Sequence, residues 1–122
     1  MITLLKLGGS LITDKQQSRT YLPDVMQRLA QEIQQARDES PELQLIVGHG
    51  SGSFGHEEAH KHGTMAGVKN PAQWHGFVQV AAVAASLSQL VTETLLQAQV
   101  PVFRIQPSAS VIATDGIITK MS

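Results

Sequence analysis

The sequence predicts an α/β fold built on a mainly parallel sheet. Three observations carry this. Two short apolar runs, residues 2–7 and 43–47, each lead into a cluster of glycines. An amphipathic helical pattern lies between them. The resulting order of strand, glycine turn, helix, strand, glycine turn is the alternation from which parallel sheets are made.

Residues 2–7, ITLLKL, are β-rich and apolar and stop at Gly8-Gly9, as a buried strand does. Residues 10–20 are polar and read as a loop carrying Lys15 and Arg19. Over residues 22–38, Leu22, Val25, Met26, Leu29, Ile33 and Ala36 recur at helical spacing, with Pro23 in the first turn and Pro41 as the break. Residues 43–47 read as a second buried strand, followed by a glycine loop and a short helical piece near residues 55–62. Asn70-Pro71 is a helix start, Asn as cap and Pro in the first position. The helix runs to about residue 99 and has no charged residue between Lys69 and Glu93. Such a helix is expected to be buried on more than one face, in a core, beside an apolar pocket or against a partner. Residues 101–105 predict a third strand, and Asp115-Gly116 predicts a hairpin turn between residues 111–113 and 117–119. With no closing element after that hairpin, residues 1–122 read as part of a larger protein, or a truncated reading of one.

Composition narrows the function. The 122 residues carry a formal net charge of −1, 42% hydrophobic residues and no cysteine. That suits one modest globular core and excludes disulfides and thiolate metal sites. The charge gives no footprint for nucleic acid. No signal-like segment opens the chain, and no apolar run is expected to reach bilayer-spanning length, so no membrane role and a cytoplasmic location are expected.

The stretch GHGSGSFGHEEAH, residues 48–60, admits three readings. Gly50 to Gly55 spell the dinucleotide pattern G-x-G-x-x-G, but the acidic residue that pattern wants about 20 positions on is absent, since no Asp or Glu lies between Glu58 and Glu93. His56, Glu57 and His60 spell the zinc pattern H-E-x-x-H. Its longer form would place a third histidine at position 66, which is Ala66, and the motif begins in a glycine loop rather than within a helix. The third reading is a phosphate cradle. Gly48, Gly50, Gly52 and Gly55 free backbone N–H groups, Ser51 and Ser53 add hydroxyls, and the following helix points its positive end at the same place. His56, in the first turn of that helix, can donate to a phosphate oxygen. For Ser51 to stand among these glycines its φ must be negative or left-handed backbone tolerated.

The first strand supports the cradle. Lys6 is the only charge in ITLLKLGGS, and a buried ammonium needs an anionic partner unless it snorkels to the sheet end. Gly8, Gly9 and Ser10 make a second anion-binding turn at the carboxyl edge of the strand, where ligands of open α/β sheets bind. Two anion-binding turns at one edge suit phosphoryl transfer, with cations between the two anions.

At these residues the chain resembles the amino acid kinase superfamily, and within it the isopentenyl phosphate kinases. The resemblance rests on KLGGSLITDK at 6–15 and HGSGSFGH at 49–56, and covers about the amino-terminal half of such a kinase. It implies a three-layer αβα sandwich, incomplete at the carboxyl end, and transfer of the γ-phosphoryl of ATP, with Mg²⁺, onto isopentenyl phosphate. It implies that Lys6, Gly8, Gly9 and Ser10 contact the ATP phosphates, that Lys15 stabilises the transferring group, and that His56 holds the acceptor phosphate. Ser51, Gly52 and Gly55 belong to the acceptor site, Gly52 also meeting the nucleotide. It implies a homodimer, with the adenosine pocket beyond Ser122. The uncharged helix, with Trp74, Phe77, Val78 and Ala81, would offer apolar surface to an isoprenoid tail. Relatives acting on a phosphonate or an acyl carboxylate, and a non-catalytic phosphate-binding fragment, are the competing expectations. A chain of this length alone is expected to turn over ATP poorly.

Overall fold

The computed structural model describes residues 1–121. Strand β1 (Ile2–Leu7) is followed by a one-turn helix α1 (Gly9–Ile12), helix α2 (Pro23–Glu39), strand β2 (Gln44–His49) and helix α3 (Gly52–His62). A 3-10 turn at Thr64–Ala66 leads to the long helix α4 (Pro71–Gln97), and strands β3 (Val111–Thr114) and β4 (Ile117–Met121) end the described residues.

β1 and β2 pair in parallel, Ile2 against Gln44 through Leu7 against His49. Parallel neighbours need a crossover, here supplied by α1, a loop and α2. Both strands therefore finish at the same sheet edge, each running into its glycine turn. The α/β alternation with a parallel sheet is the architecture observed.

One face of this sheet meets the core. Leu45 and Val47 pack against a cluster that includes Leu7, Ile12, Met26, Ala30, Ile33, Phe54, Val83, Leu87, Val91 and Leu95. α2 contributes Met26, Ala30 and Ile33 at i, i+4, i+7, one stripe of a 3.6-residue period. α4 contributes Val83, Leu87, Val91 and Leu95, four residues apart along one side, and packs on α2 and α3. The opposite sheet face is open among the described residues, with Leu4 77% exposed and Ile46 also exposed.

Several elements differ from the sequence expectation. The two strands are not buried on both faces, because β1 has one strand neighbour and the Leu4–Ile46 side has no helix over it among the described residues. Residues 101–105 form no strand: Val102 packs against the core, but Phe103 and Ile105 are exposed and unpaired. Residues 10–20 are not all loop, since Ser10, Leu11 and Ile12 belong to α1. α3 begins at Gly52, three residues before the expected 55. α4 is buried along one stripe, whereas Trp74, Phe77 and Val78 face outward. It is also 27 residues long, with an 18-residue window of mean hydropathy 1.2, so one segment does reach bilayer-spanning length and apolarity by composition. Its packing on α2 and α3 is that of a helix seated on a protein core.

Local signals held where they were strongest. Asn70 caps α4, its side-chain oxygen accepting from the Gln73 N–H at 2.9 Å. Asp115 and Gly116 join β3 to β4 with φ of +49° and +77°, both positive as a type I′ turn demands.

Candidate active site

The two glycine turns touch through their backbones. The Gly50 N–H donates to the Leu7 carbonyl at 3.0 Å. A Cβ on Gly9 would lie 2.7 Å from the Gly52 Cα, and one on Gly50 would lie 2.8 Å from the Gly9 N. No side chain fits at any of the three positions, so the turn after β1 and the turn after β2 form one continuous floor. Gly52 is further constrained by a φ of +49°, whereas Ser51 before it sits at φ −78°, a conformation any residue adopts. That is how a serine is accommodated among the glycines.

Above this floor lies an open cleft of about 420 Å³ lined by Lys6, Gly8, Gly9, Ser10, Lys15, Gly50, Gly52, Ser53 and His56. A smaller hollow of about 290 Å³ adjoins it and shares Lys15, Ser53 and His56. Seven of the nine residues singled out from the sequence thus line one cleft. Lys6 reaches it from the open face of β1, opposite Gly48, and is exposed rather than buried. The expected desolvation of its ammonium therefore does not occur. Ser51 and Gly55 do not line the cleft. They pack on each other, a Cβ on Gly55 falling 2.6 Å from the Ser51 Cβ, and so shape the start of α3 from behind.

His56 lies in the second turn of α3, not the first, because the helix starts earlier than expected. The start is uncompensated by any acidic residue in its first turn, which leaves the positive end of the helix facing the cleft through Gly52, the next N–H, that of Ser53, being donated to the Thr13 hydroxyl. The early start also places His56, Glu57 and His60 together within a helix. Among the described residues, however, no group of three His, Asp or Glu side chains is placed to hold a metal ion.

The larger cleft has two lysines and a histidine and no carboxylate in its lining. Asp14, next to Lys15, is turned to its own loop, accepting from the Gln16 N–H at 2.8 Å and the Gln17 amide at 3.2 Å. The arrangement is suited to polyanions. Lys6 and Lys15 make no ion pair among the described residues, although Glu57 lines the smaller hollow beside Lys15, and the floor offers the N–H of Gly52, which has no intrahelical partner.

Two features were missed in the sequence. Thr13 is 1% exposed, and its hydroxyl donates to the Gly9 carbonyl at 2.7 Å while accepting from the Ser53 N–H at 3.0 Å, tying the two turns together. Arg19 pairs with the buried Glu58 of α3. Neither contact has a local signature, since each spans about 40 residues of chain.

The sequence matches the amino acid kinase family over residues 1–121. The chain belongs to that family. Its relatives include isopentenyl phosphate kinases. It is 33% identical to that of Methanocaldococcus jannaschii, over 97% of this chain and 48% of the relative. It is 35% identical to that of Methanothermobacter thermautotrophicus, over 95% of this chain and 44% of the relative. A solved structure of isopentenyl phosphate kinase superposes with a TM-score of 0.88 at 32% identity, covering 100% of this chain and 50% of that one. A product complex of the Thermoplasma acidophilum enzyme superposes with a TM-score of 0.79 at 29% identity. The chain spans about half the length of the relatives it matches.

Proposed function

We propose that this chain takes part in ATP-dependent phosphorylation of isopentenyl phosphate to isopentenyl diphosphate, supplying the acceptor site and part of the ATP phosphate site. The observation that carries the reading is the meeting of two glycine turns under Lys6, Lys15 and His56 in a cleft whose lining has no carboxylate. The likeness to isopentenyl phosphate kinases supports the choice of acceptor.

In this reading Lys6, Gly8, Gly9 and Ser10 hold the nucleotide phosphates. His56 donates to the acceptor phosphate, and Ser51 and Gly55 shape the helix start beneath it. A phosphate monoester is largely dianionic near pH 7, its second pKa being about 6, so it attacks without a general base. An acceptor oxygen forms the new bond to the γ-phosphorus as the bond to the β,γ-bridging oxygen breaks, and ADP leaves with that electron pair. Lys15, shared by both hollows, sits where charge on the transferring group needs neutralising. Mg²⁺, when bound with the nucleotide, would neutralise charge on its phosphates. Trp74 and Phe77, in edge-to-face contact at 5.7 Å, lie exposed on the helix that packs against α3 and offer apolar surface for the isoprenoid tail, although neither lines the cleft.

Calorimetric titration of isopentenyl phosphate into the protein, beside a His56→Ala variant, tests the reading. Saturable binding that weakens at least about tenfold in the variant is expected, a charge-assisted hydrogen bond contributing on the order of 1.5–3 kcal/mol. Equal affinities in the two proteins would remove His56 from the acceptor site.

A further inference from the structure

Lys15 sits on a loop that leaves the core at Thr13 and returns at Tyr21, where the two residues form an isolated antiparallel bridge. The stem is closed by the Asp14 N–H on the Thr20 carbonyl at 2.9 Å and the Leu22 N–H on the Ile12 carbonyl at 2.9 Å. Nothing in the stem fixes where the loop leans. That is set by Arg19. Its N–H donates to the Ser53 carbonyl at 3.3 Å, the Thr20 N–H donates to the Ser53 hydroxyl at 3.3 Å, and its guanidinium reaches Glu58 one turn and a half further along α3. Arg19 holds a φ of +49°, a conformation that a non-glycine residue keeps only when its surroundings impose it.

Glu58 is an unusual partner. Its side chain is 9% exposed, and it also faces His62 at 3.3 Å and Lys61 at 4.0 Å, both from its own helix. Arg19 is half exposed while the Glu58 carboxylate is nearly buried, so desolvation of the carboxylate offsets part of the attraction and the pair is better explained by the geometry it fixes. Here that geometry is the placement of Lys15 beside His56, two residues from different elements that line the same two hollows.

We infer that the Arg19–Glu58 pair is a latch that seats the Lys15 loop on α3 and thereby positions Lys15 over the cleft. Arg19 and Glu58 are positioning residues and touch no substrate. The inference rests on the phosphate reading of the cleft.

The test is a double-mutant cycle read by calorimetry with inorganic pyrophosphate, with amide hydrogen exchange as a second readout. Lys15→Ala is expected to weaken pyrophosphate binding about tenfold, and Glu58→Gln by a similar factor. The double variant should bind no more weakly than Lys15→Ala alone, because an unlatched loop no longer delivers the lysine. The Arg19 amide should exchange faster in Glu58→Gln without ligand. Arg19→Asn, which tolerates positive φ but cannot reach Glu58, should reproduce both effects and serves if Glu58→Gln does not fold. Additive losses in the double variant, or unchanged affinity and exchange in the latch variants, would overturn the latch. Failure of the unsubstituted protein to bind either pyrophosphate or isopentenyl phosphate would instead overturn the cleft reading, and the inference with it, whatever the exchange data show.

Discussion

Gly52 offers a quantitative test of the double turn. In Gly52→Ala the new methyl would collide with Thr13 Oγ1 and lie 2.6 Å from the Gly9 carbonyl oxygen, at a φ of +49°. The left-handed backbone alone costs an alanine about 1–2 kcal/mol. Expelling the Thr13 hydroxyl breaks its bonds to the Gly9 carbonyl and the Ser53 N–H, at about 1 kcal/mol each. Residual overpacking adds roughly 1–3 kcal/mol. Stiffening of the unfolded chain returns about 0.4–1 kcal/mol, leaving a net loss of about 3–6 kcal/mol. Gly63 is the control. It caps α3 at φ +62° with nothing within 4 Å of a would-be Cβ, so Gly63→Ala suffers the backbone cost alone, about 1 kcal/mol. At roughly 4 °C per kcal/mol for a chain of this size, thermal unfolding by circular dichroism should fall about 12–24 °C for the first variant and about 4 °C for the second. Equal losses in the two variants would mean that the turns do not touch at Gly52.

Thr13→Val should cost about 2–3 kcal/mol in urea unfolding, since it strands the Ser53 N–H and the Gly9 carbonyl, whereas Thr13→Ser, which keeps the hydroxyl, should cost about 1 kcal/mol. Leu87 is fully buried, so Leu87→Ala should cost about 3 kcal/mol by the same measurement, with no change in the pH dependence of unfolding. The Arg19 hydrogen bond, and then the charges of Lys61, Arg19 and His62, hold the Glu58 carboxyl below its ordinary value against the opposing effect of burial. A carboxyl lowered on folding contributes stability that is full above its unfolded pKa and is lost as pH falls through its folded one. The difference in melting temperature between the unsubstituted protein and Glu58→Gln should therefore shrink as the pH falls through the carboxylate range, below about pH 4.5. A difference that grows on acidification within that range would refute the sign of the shift.

The parts of the fold that were legible in the sequence are those set by neighbours along the chain. The Asn70 cap, Pro23 at the start of α2 and the Asp115-Gly116 turn each follow from what one or two residues do to their own backbone. The cleft was legible for the same reason, because glycine clusters after apolar runs report a main chain that must come close to something. What was not legible depends on distant contact. Gly52 and Gly55 have poor helix propensity, yet both lie in the first turn of α3, where close packing against Gly9, Thr13 and Ser51 admits no side chain. Residues 101–105 have the composition of a strand but no strand beside them among the described residues. Burial of Glu58 depends on Arg19, 39 positions away, and no pattern in either neighbourhood announces it.

Because the two turns meet main chain to main chain, the separation between them is set by peptide geometry and not by rotamers. In the proposed function, side chains that choose the acceptor can vary without changing that spacing, like fittings around a fixed gauge. Under that proposal, altered acceptor preference is best sought along the outward face of α4, at Trp74, Phe77 and Val78, where substitution leaves the gauge untouched.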